Sequence, residues 1–305
     1  MLDTLVDEAF DPDGPLAPTY ALLVVQGGET VVERYGTLPS GEAVTAMTPL
    51  RSWSMAKSML HAAVGLLVTD GRLDVHDPAP IPAWQGDGRR AITIEHLLDM
   101  RDGLDFNEDY VDDRTSDTIE MLFGSGMEDV AAYAVDRPLA VEPGTRFNYS
   151  SGTSNILSSI VAGVVGRGDR YEQFLRERLF VPLGMGSARP ELDAAGTWVA
   201  SSYVFATAAD FARFGELYLR RGADLLPSTW IDHGLRPRSY DEESDSEYGA
   251  HWWLPAHGTF EARGYEGQSI TVHPAKDLVV VRLGRTPAER GAALRAWRRA
   301  MVDEA

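Results

Sequence analysis

The chain opens its regular patterning with two β-rich runs, Tyr20–Gln26 and Glu29–Gly36, separated by Gly27-Gly28. Adjacent glycines tolerate the positive φ of a two-residue turn, so this pattern predicts a β-hairpin. Residues 54–69 form an almost wholly apolar run that stops before Gly71, which predicts a helix buried on all sides. Residues 76–90, with Asp77-Pro78 and further prolines and glycines, read as loop. Thr93 caps a short helix through Leu97-Leu98 to Met100, and an acidic loop runs from Asp102 to Asp113. Further helices are predicted over Met127–Ala134, through Ile156, Ile160 and Val164, and through Phe174, Leu175 and Leu179 up to Pro182. Thr207 to Asp210 reads as a capping box with aspartate reaching back, and it opens a helix with Phe211, Phe214, Leu217 and Tyr218 inward.

The last third turns to strands: Tyr248–Leu254, Thr259–Arg263, Ser269–His273 and Leu278–Leu283, after a charged loop over 241–245. An amphipathic helix over Pro287–Met301 closes the chain. Strands at both ends with helices between them predict an α+β fold, an antiparallel sheet flanked by helices. Residues 1–52 and 236–305 together make its α/β subdomain, and 53–235 make a mainly helical one.

Composition narrows the chemistry. The 305 residues contain no cysteine, which excludes disulfides, thiolate metal sites and cysteine nucleophiles. A net charge of -18 repels phosphate backbones and anionic lipid, so neither nucleic acid nor membrane is expected as a partner. The N-terminus has no basic start and no apolar core, and no stretch is long enough to span a bilayer. These features point to a cytoplasmic chain, a monomer or homodimer acting on a small molecule.

One residue stands apart. Lysine occurs only at Lys57 and Lys276 among 28 Lys+Arg, and Lys57 lies inside the apolar run, three residues after Ser54. Residues i and i+3 share a helix face, so Ser54 Oγ and Lys57 Nζ can meet in the first turn. A desolvated lysine with lowered pKa can take a hydroxyl proton, which arginine cannot. Other sites are not visible. Gly152-Thr153-Ser154-Asn155 lacks the last glycine of a nucleophile elbow, and the seven histidines are too scattered for a zinc motif.

A second short motif, Tyr149-Ser150-Ser151, follows the turn Glu142-Pro143-Gly144-Thr145. With Ser54-x-x-Lys57 it resembles the serine β-lactamase and penicillin-binding-protein superfamily. Within it, the chain is most similar to the branch of class C β-lactamases, family VIII esterases and 6-aminohexanoate-dimer hydrolases. The resemblance extends over residues 20 to 290, including Leu97–Leu104, Pro182–Met185 and the closing strands. It implies a β-lactamase/transpeptidase-like fold with the site between the two subdomains. It also implies that Ser54 is the acylated nucleophile, activated by Lys57 and Tyr149, with Ser151 hydrogen-bonded to Lys57. A lysine cation would lower the tyrosine's pKa, and the two titrate as a coupled pair.

Arg263-Gly264-Tyr265-Glu266-Gly267-Gln268 stands where the superfamily carries Lys-Thr-Gly. There the Tyr265 N–H would complete an oxyanion hole with that of Ser54. Gly264 would let substrate approach, and Gln268 would contact it. Losing that lysine removes the usual anchor for a β-lactam carboxylate. Asn107-Glu108-Asp109-Tyr110 resembles the loop that brings a tyrosine to the substrate amide nitrogen, so Tyr110 either does this or fills the domain junction. The expectation is a serine hydrolase for small esters or linear amides, needing no metal or cofactor. The rivals are a β-lactamase or D-alanyl-D-alanine peptidase, and a non-catalytic ligand-binding relative.

Overall fold

The computed structural model describes residues 1–112 and 114–305; Asp113, the end of the acidic loop, lies outside them. Helix α1 (Leu2–Phe10) precedes the hairpin β1 (Thr19–Gln26) and β2 (Glu29–Tyr35), then come β3 (Leu50–Arg51) and α2 (Met55–Thr69). Five helices follow: α3 (Ile94–Leu98), α4 (Asp117–Phe123), α5 (Val130–Val135), α6 (Ser151–Val165) and α7 (Asp169–Leu175). After β4 (Arg189–Pro190) and β5 (Val204–Ala206) come α8 (Ala208–Leu219) and α9 (Ser228–Leu235). The chain ends with β6 (Ser239–Asp241), β7 (Ser246–Tyr248), β8 (Trp253–Leu254), β9 (Phe260–Gly264), β10 (Gln268–His273), β11 (Leu278–Gly284) and α10 (Gly291–Glu304).

The two ends of the chain make one sheet, in the order β2-β1-β11-β10-β9-β8-β7-β6. Every pairing is antiparallel, with Val24 opposite Val280 and Leu23 opposite Val281. Side chains alternate across a strand, so these two pairs serve opposite faces. Leu22, Val24, Leu278 and Val280 pack under α1 and α10, against Val6, Ala9, Leu294, Trp297 and Met301. Ala21, Leu23, Val25, Val279 and Val281 join the main core, where α8 covers the sheet although it lies within 53–235.

Helix α2 runs through that core with thirteen of its fifteen residues buried. Its Leu, Met and Val side chains each contribute about 1.5–3 kcal/mol by leaving water. Gly65 is set by packing: a Cβ there would stand 2.2 Å from the Trp230 indole nitrogen, which donates to the His61 carbonyl at 3.0 Å.

Three local expectations change. The run 248–254 is two short strands, because Gly249 turns back onto Trp252 and His251 takes φ +61°. Asp210 does not reach back to its cap; its carboxylate binds Ser187 and Arg213, while Thr207 caps the helix alone. Helices α1, α4 and α9 fall outside the predicted elements, although Leu2, Leu5, Val6, Ala9 and Phe10 of α1 recur at helical spacing. Among the described residues, no helix is long and apolar enough to cross a membrane.

Candidate active site

The small sheet β3-β5-β4 anchors the entry to α2. Ser52 N–H donates to the Val204 carbonyl at 2.8 Å, and the Val204 N–H donates to Ser52 Oγ at 3.0 Å. From this clamp the chain turns through Trp53, a bulky residue at φ +45°, and presents Ser54 at the head of the helix. Non-glycine residues persist in that conformation only where their surroundings hold them. Here Arg51 lies 4.7 Å over the indole, and the rings of Tyr203 and Tyr265 flank it at 6.0 and 5.6 Å.

Lys57 sits one turn into the helix and is 1% exposed. Its ammonium donates to Ser54 Oγ at 3.0 Å, Ser151 Oγ at 3.1 Å and the Ser201 carbonyl at 3.0 Å, so all three N–H bonds have acceptors. Burial disfavours the charged form and brings its pKa from 10.5 down to about 8, against the opposing charge of Glu108. Asn155 on α6 fixes the Ser201 acceptor, taking its N–H at 3.1 Å and donating to its hydroxyl at 3.2 Å.

Tyr149 completes the group. Lys57 Nζ lies 4.9 Å above its ring, and its hydroxyl is directed toward the Ser54 side of the site. The expected lowering of its pKa is not what the surroundings produce. Burial pushes the phenol above its ordinary value, Glu108 adds to this, and Ser54 and Arg263 oppose it. Lys57 meets the ring face rather than the phenol oxygen, so the tyrosine stays neutral and the lysine is the group tuned toward neutral pH.

Glu108 was not singled out from the sequence, where it is one acid among many in its loop. It accepts from the Ser151 N–H at 2.7 Å, Ser151 Oγ at 2.6 Å, Thr118 Oγ1 at 2.8 Å and the Tyr110 hydroxyl at 2.7 Å. It therefore ties the acidic loop to the start of α6 beside Lys57. The expected Ser151–Lys57 bond is present, but Tyr110 turns its hydroxyl to Glu108 rather than to the space above Ser54.

Tyr265 and Ser54 line a shared cavity of about 70 Å³ with Trp53, Tyr110, Leu122 and Ser202. Among the described residues, no backbone acceptor takes up the N–H of Ser54 or of Tyr265. The turn carrying Tyr265 is pinned by Arg282, which donates to the Gly267 carbonyl at 3.1 Å.

Gly264 and Gln268 differ from expectation. A Cβ on Gly264 would meet the Ser52 carbonyl at 2.4 Å, so the glycine admits the nucleophile's own turn rather than a substrate. Gln268 is 4% exposed and fully engaged: its amide donates to the Tyr265 and Gly284 carbonyls and accepts from the Gly284 N–H at 2.8 Å. It braces the turn and does not reach the cleft. Arg263, near the position of the superfamily's lysine, is committed to Glu261 and to the face of Trp253. Among the described residues, no group of three or more His, Asp or Glu side chains is placed to hold a metal ion.

Known proteins resemble this chain in sequence and fold. The chain is 28% identical over 298 residues to the 6-aminohexanoate-dimer hydrolase of Paenarthrobacter ureafaciens, covering 88% of this chain and 73% of that one. An octameric penicillin-binding-protein homologue from Pyrococcus abyssi superposes with a TM-score of 0.77 at 19% identity, over 99% of this chain and 76% of that one. A family VIII carboxylesterase superposes with a TM-score of 0.75 at 15% identity, over 98% and 96% of the two chains. At such identities the structures speak for the fold alone. The family described as Beta-lactamase matches residues 8–303, and with that extent of match the chain belongs to the beta-lactamase family.

Proposed function

We propose that this serine hydrolase of the beta-lactamase family cleaves small carboxylic esters or linear amides through an acyl-enzyme on Ser54. The observation that carries the reading is the buried Lys57 amine 3.0 Å from Ser54 Oγ. In its neutral form Lys57 accepts the hydroxyl proton as Oγ bonds to the carbonyl carbon. The Ser54 and Tyr265 N–H groups face the oxygen that becomes negative. Neutral Tyr149 protonates the leaving oxygen or nitrogen as its bond to carbon breaks, and the phenolate left behind takes a proton from the water that attacks the acyl-enzyme. The Lys57 ammonium returns its proton to Ser54 Oγ as the acyl bond breaks, which leaves lysine, serine and tyrosine in their starting forms. The roughly 70 Å³ cavity beside Ser54, walled by aromatic and aliphatic groups, suits a short apolar acyl chain. For amide substrates, Tyr110 leaves Glu108 and hydrogen-bonds the scissile nitrogen.

The test is incubation with p-nitrophenyl butyrate, following nitrophenolate release and intact protein mass beside Ser54→Ala. The expected result is turnover with a transient butyryl adduct, both absent in the variant. Release that persists in Ser54→Ala would mean another nucleophile, and neither release nor adduct would mean a binding role.

A further inference from the structure

Behind the cleft, between the sheet and α10, lies a second cavity of about 240 Å³. Arg263, Arg295, Arg298 and Arg299 line it, against the carboxylates of Asp245, Glu261 and Asp303. Four guanidinia around one recess are unexpected in a chain of net charge -18. Glu261 engages two of them: it accepts from Arg263 and from Thr271 Oγ1 at 3.0 Å, lies 3.4 Å from Arg298, and against its burial is held ionised, down to about 2, by these two arginines.

Arg298 is the unusual member. It is 8% exposed, its nearest carboxylate oxygen on Glu261 is 3.4 Å away, and its Nε is buried with no hydrogen-bond partner. Ser244 Oγ, on the opposite wall, is also buried without a partner. Buried donors left open are costly, by about 1–3 kcal/mol each and more for a charged group, so a side-chain shift that turned either toward an anion in the recess would be favoured.

The cavity also communicates with the catalytic cleft. Ser244 and Arg295 line both, while Asp241 and Glu243 line the cleft alone. Arg263 lies 5.2 Å over the Trp253 ring, which itself stands 5.2 Å from the ring of Tyr149.

We propose that this cavity is an anion-binding site for a carboxylate or phosphate group, held by the guanidinia of Arg298 and Arg299 and the Ser244 hydroxyl, with Arg295 at its opening to the cleft. The anion has two possible sources. It is the charged end of a substrate's leaving group, extending from Tyr149 past Trp253, which rests on the hydrolase reading above; or it is a free small anion, which does not.

The test is calorimetric titration of glutarate and of inorganic phosphate into the full chain, into Arg298→Met and into Ala296→Glu. Ala296 lines the cavity from an exposed position of α10, so a glutamate there supplies a carboxylate without disturbing the Glu261–Arg263 pair and keeps the test valid should Arg298→Met fail to fold. One saturable site for at least one probe, weakened tenfold or more in the variants, is the expected result. No binding of either probe to the wild type, or undiminished binding in Ala296→Glu, overturns the proposal.

A kinetic arm identifies the source by comparing 4-carboxyphenyl butyrate with its methyl ester. A KM ratio between them that shifts at least fivefold in Ala296→Glu assigns the site to the leaving group. A constant ratio with anion binding lost assigns it to a free anion. Because the titration needs no turnover, a failed hydrolase reading leaves its outcome legible.

Discussion

Replacing Lys57 by methionine removes the only amine in the buried helix and should make the protein more stable at pH 7. The drop in pKa from 10.5 to about 8 means that the folded state disfavours the ammonium by roughly 3 kcal/mol. Methionine fits the same space and carries no charge to desolvate, but it cannot donate to the Ser201 carbonyl, whose stranding costs about 1–3 kcal/mol. The net gain at pH 7 is therefore about 1 kcal/mol. The pH dependence is the sharper quantity. Between pH 8 and 10.5 the unfolded wild-type lysine binds a proton that the folded one has released, so wild-type stability rises with pH there relative to the variant. Linkage gives a fall of about 2 kcal/mol in the variant's advantage from pH 7.5 to 9.5. Urea denaturation of both proteins at several pH values measures it directly, with every other titration common to the two curves. Parallel stability curves over that range would refute the reasoning, because they would mean that Lys57 titrates alike in the folded and unfolded chains.

The same ionisation governs rate. For p-nitrophenyl butyrate, kcat/KM should rise with pH and level above about 8 as Lys57 loses its proton, and in Glu108→Gln the rise should move to lower pH, since the carboxylate supports the ammonium; a pH–rate profile at the same position in both proteins contradicts this. Gln268→Ala should lower the urea midpoint, at a cost of roughly 2–4 kcal/mol for the buried Gly284 groups it strands, while KM for the ester stays within twofold. Tyr110→Phe should reduce kcat/KM for butyryl 4-nitroanilide at least tenfold and for the corresponding ester by less than threefold; equal losses would remove Tyr110 from amide chemistry.

What the sequence disclosed follows from how local each signal is. A lysine inside an apolar run is anomalous wherever the run folds, so Lys57 and its partner Ser54 were legible without a third dimension. The hairpin at Gly27-Gly28 and the closing strands were legible because turn chemistry and β-branched runs are short-range. Glu108 was not, because an acid in an acidic loop looks solvated until the fold lays it on Ser151 and Thr118. Gly264 and Gln268 were assigned to the substrate because they neighbour Tyr265. Only the approach of Ser52 and of the Gly284 backbone shows that both instead hold the turn itself. Helix α1 was legible, since Leu2, Leu5, Val6, Ala9 and Phe10 recur at helical spacing, while α9 spans eight residues and buries only Trp230, Ile231 and Gly234.

The closure of the sheet between the chain's two ends also sets a timetable. Ser54 is synthesised 211 residues before Tyr265, and Ala21 must wait for Leu283 to pair. At about 5–20 residues per second, that delay is roughly 10–40 s. Throughout it the helix carrying Ser54 has no sheet behind it and lacks the proposed second oxyanion donor. On the proposed mechanism, a nascent or truncated chain carries Ser54 and Lys57 but cannot stabilise a tetrahedral intermediate, so the ribosome delivers an inert serine and reactivity arrives only with the last strands.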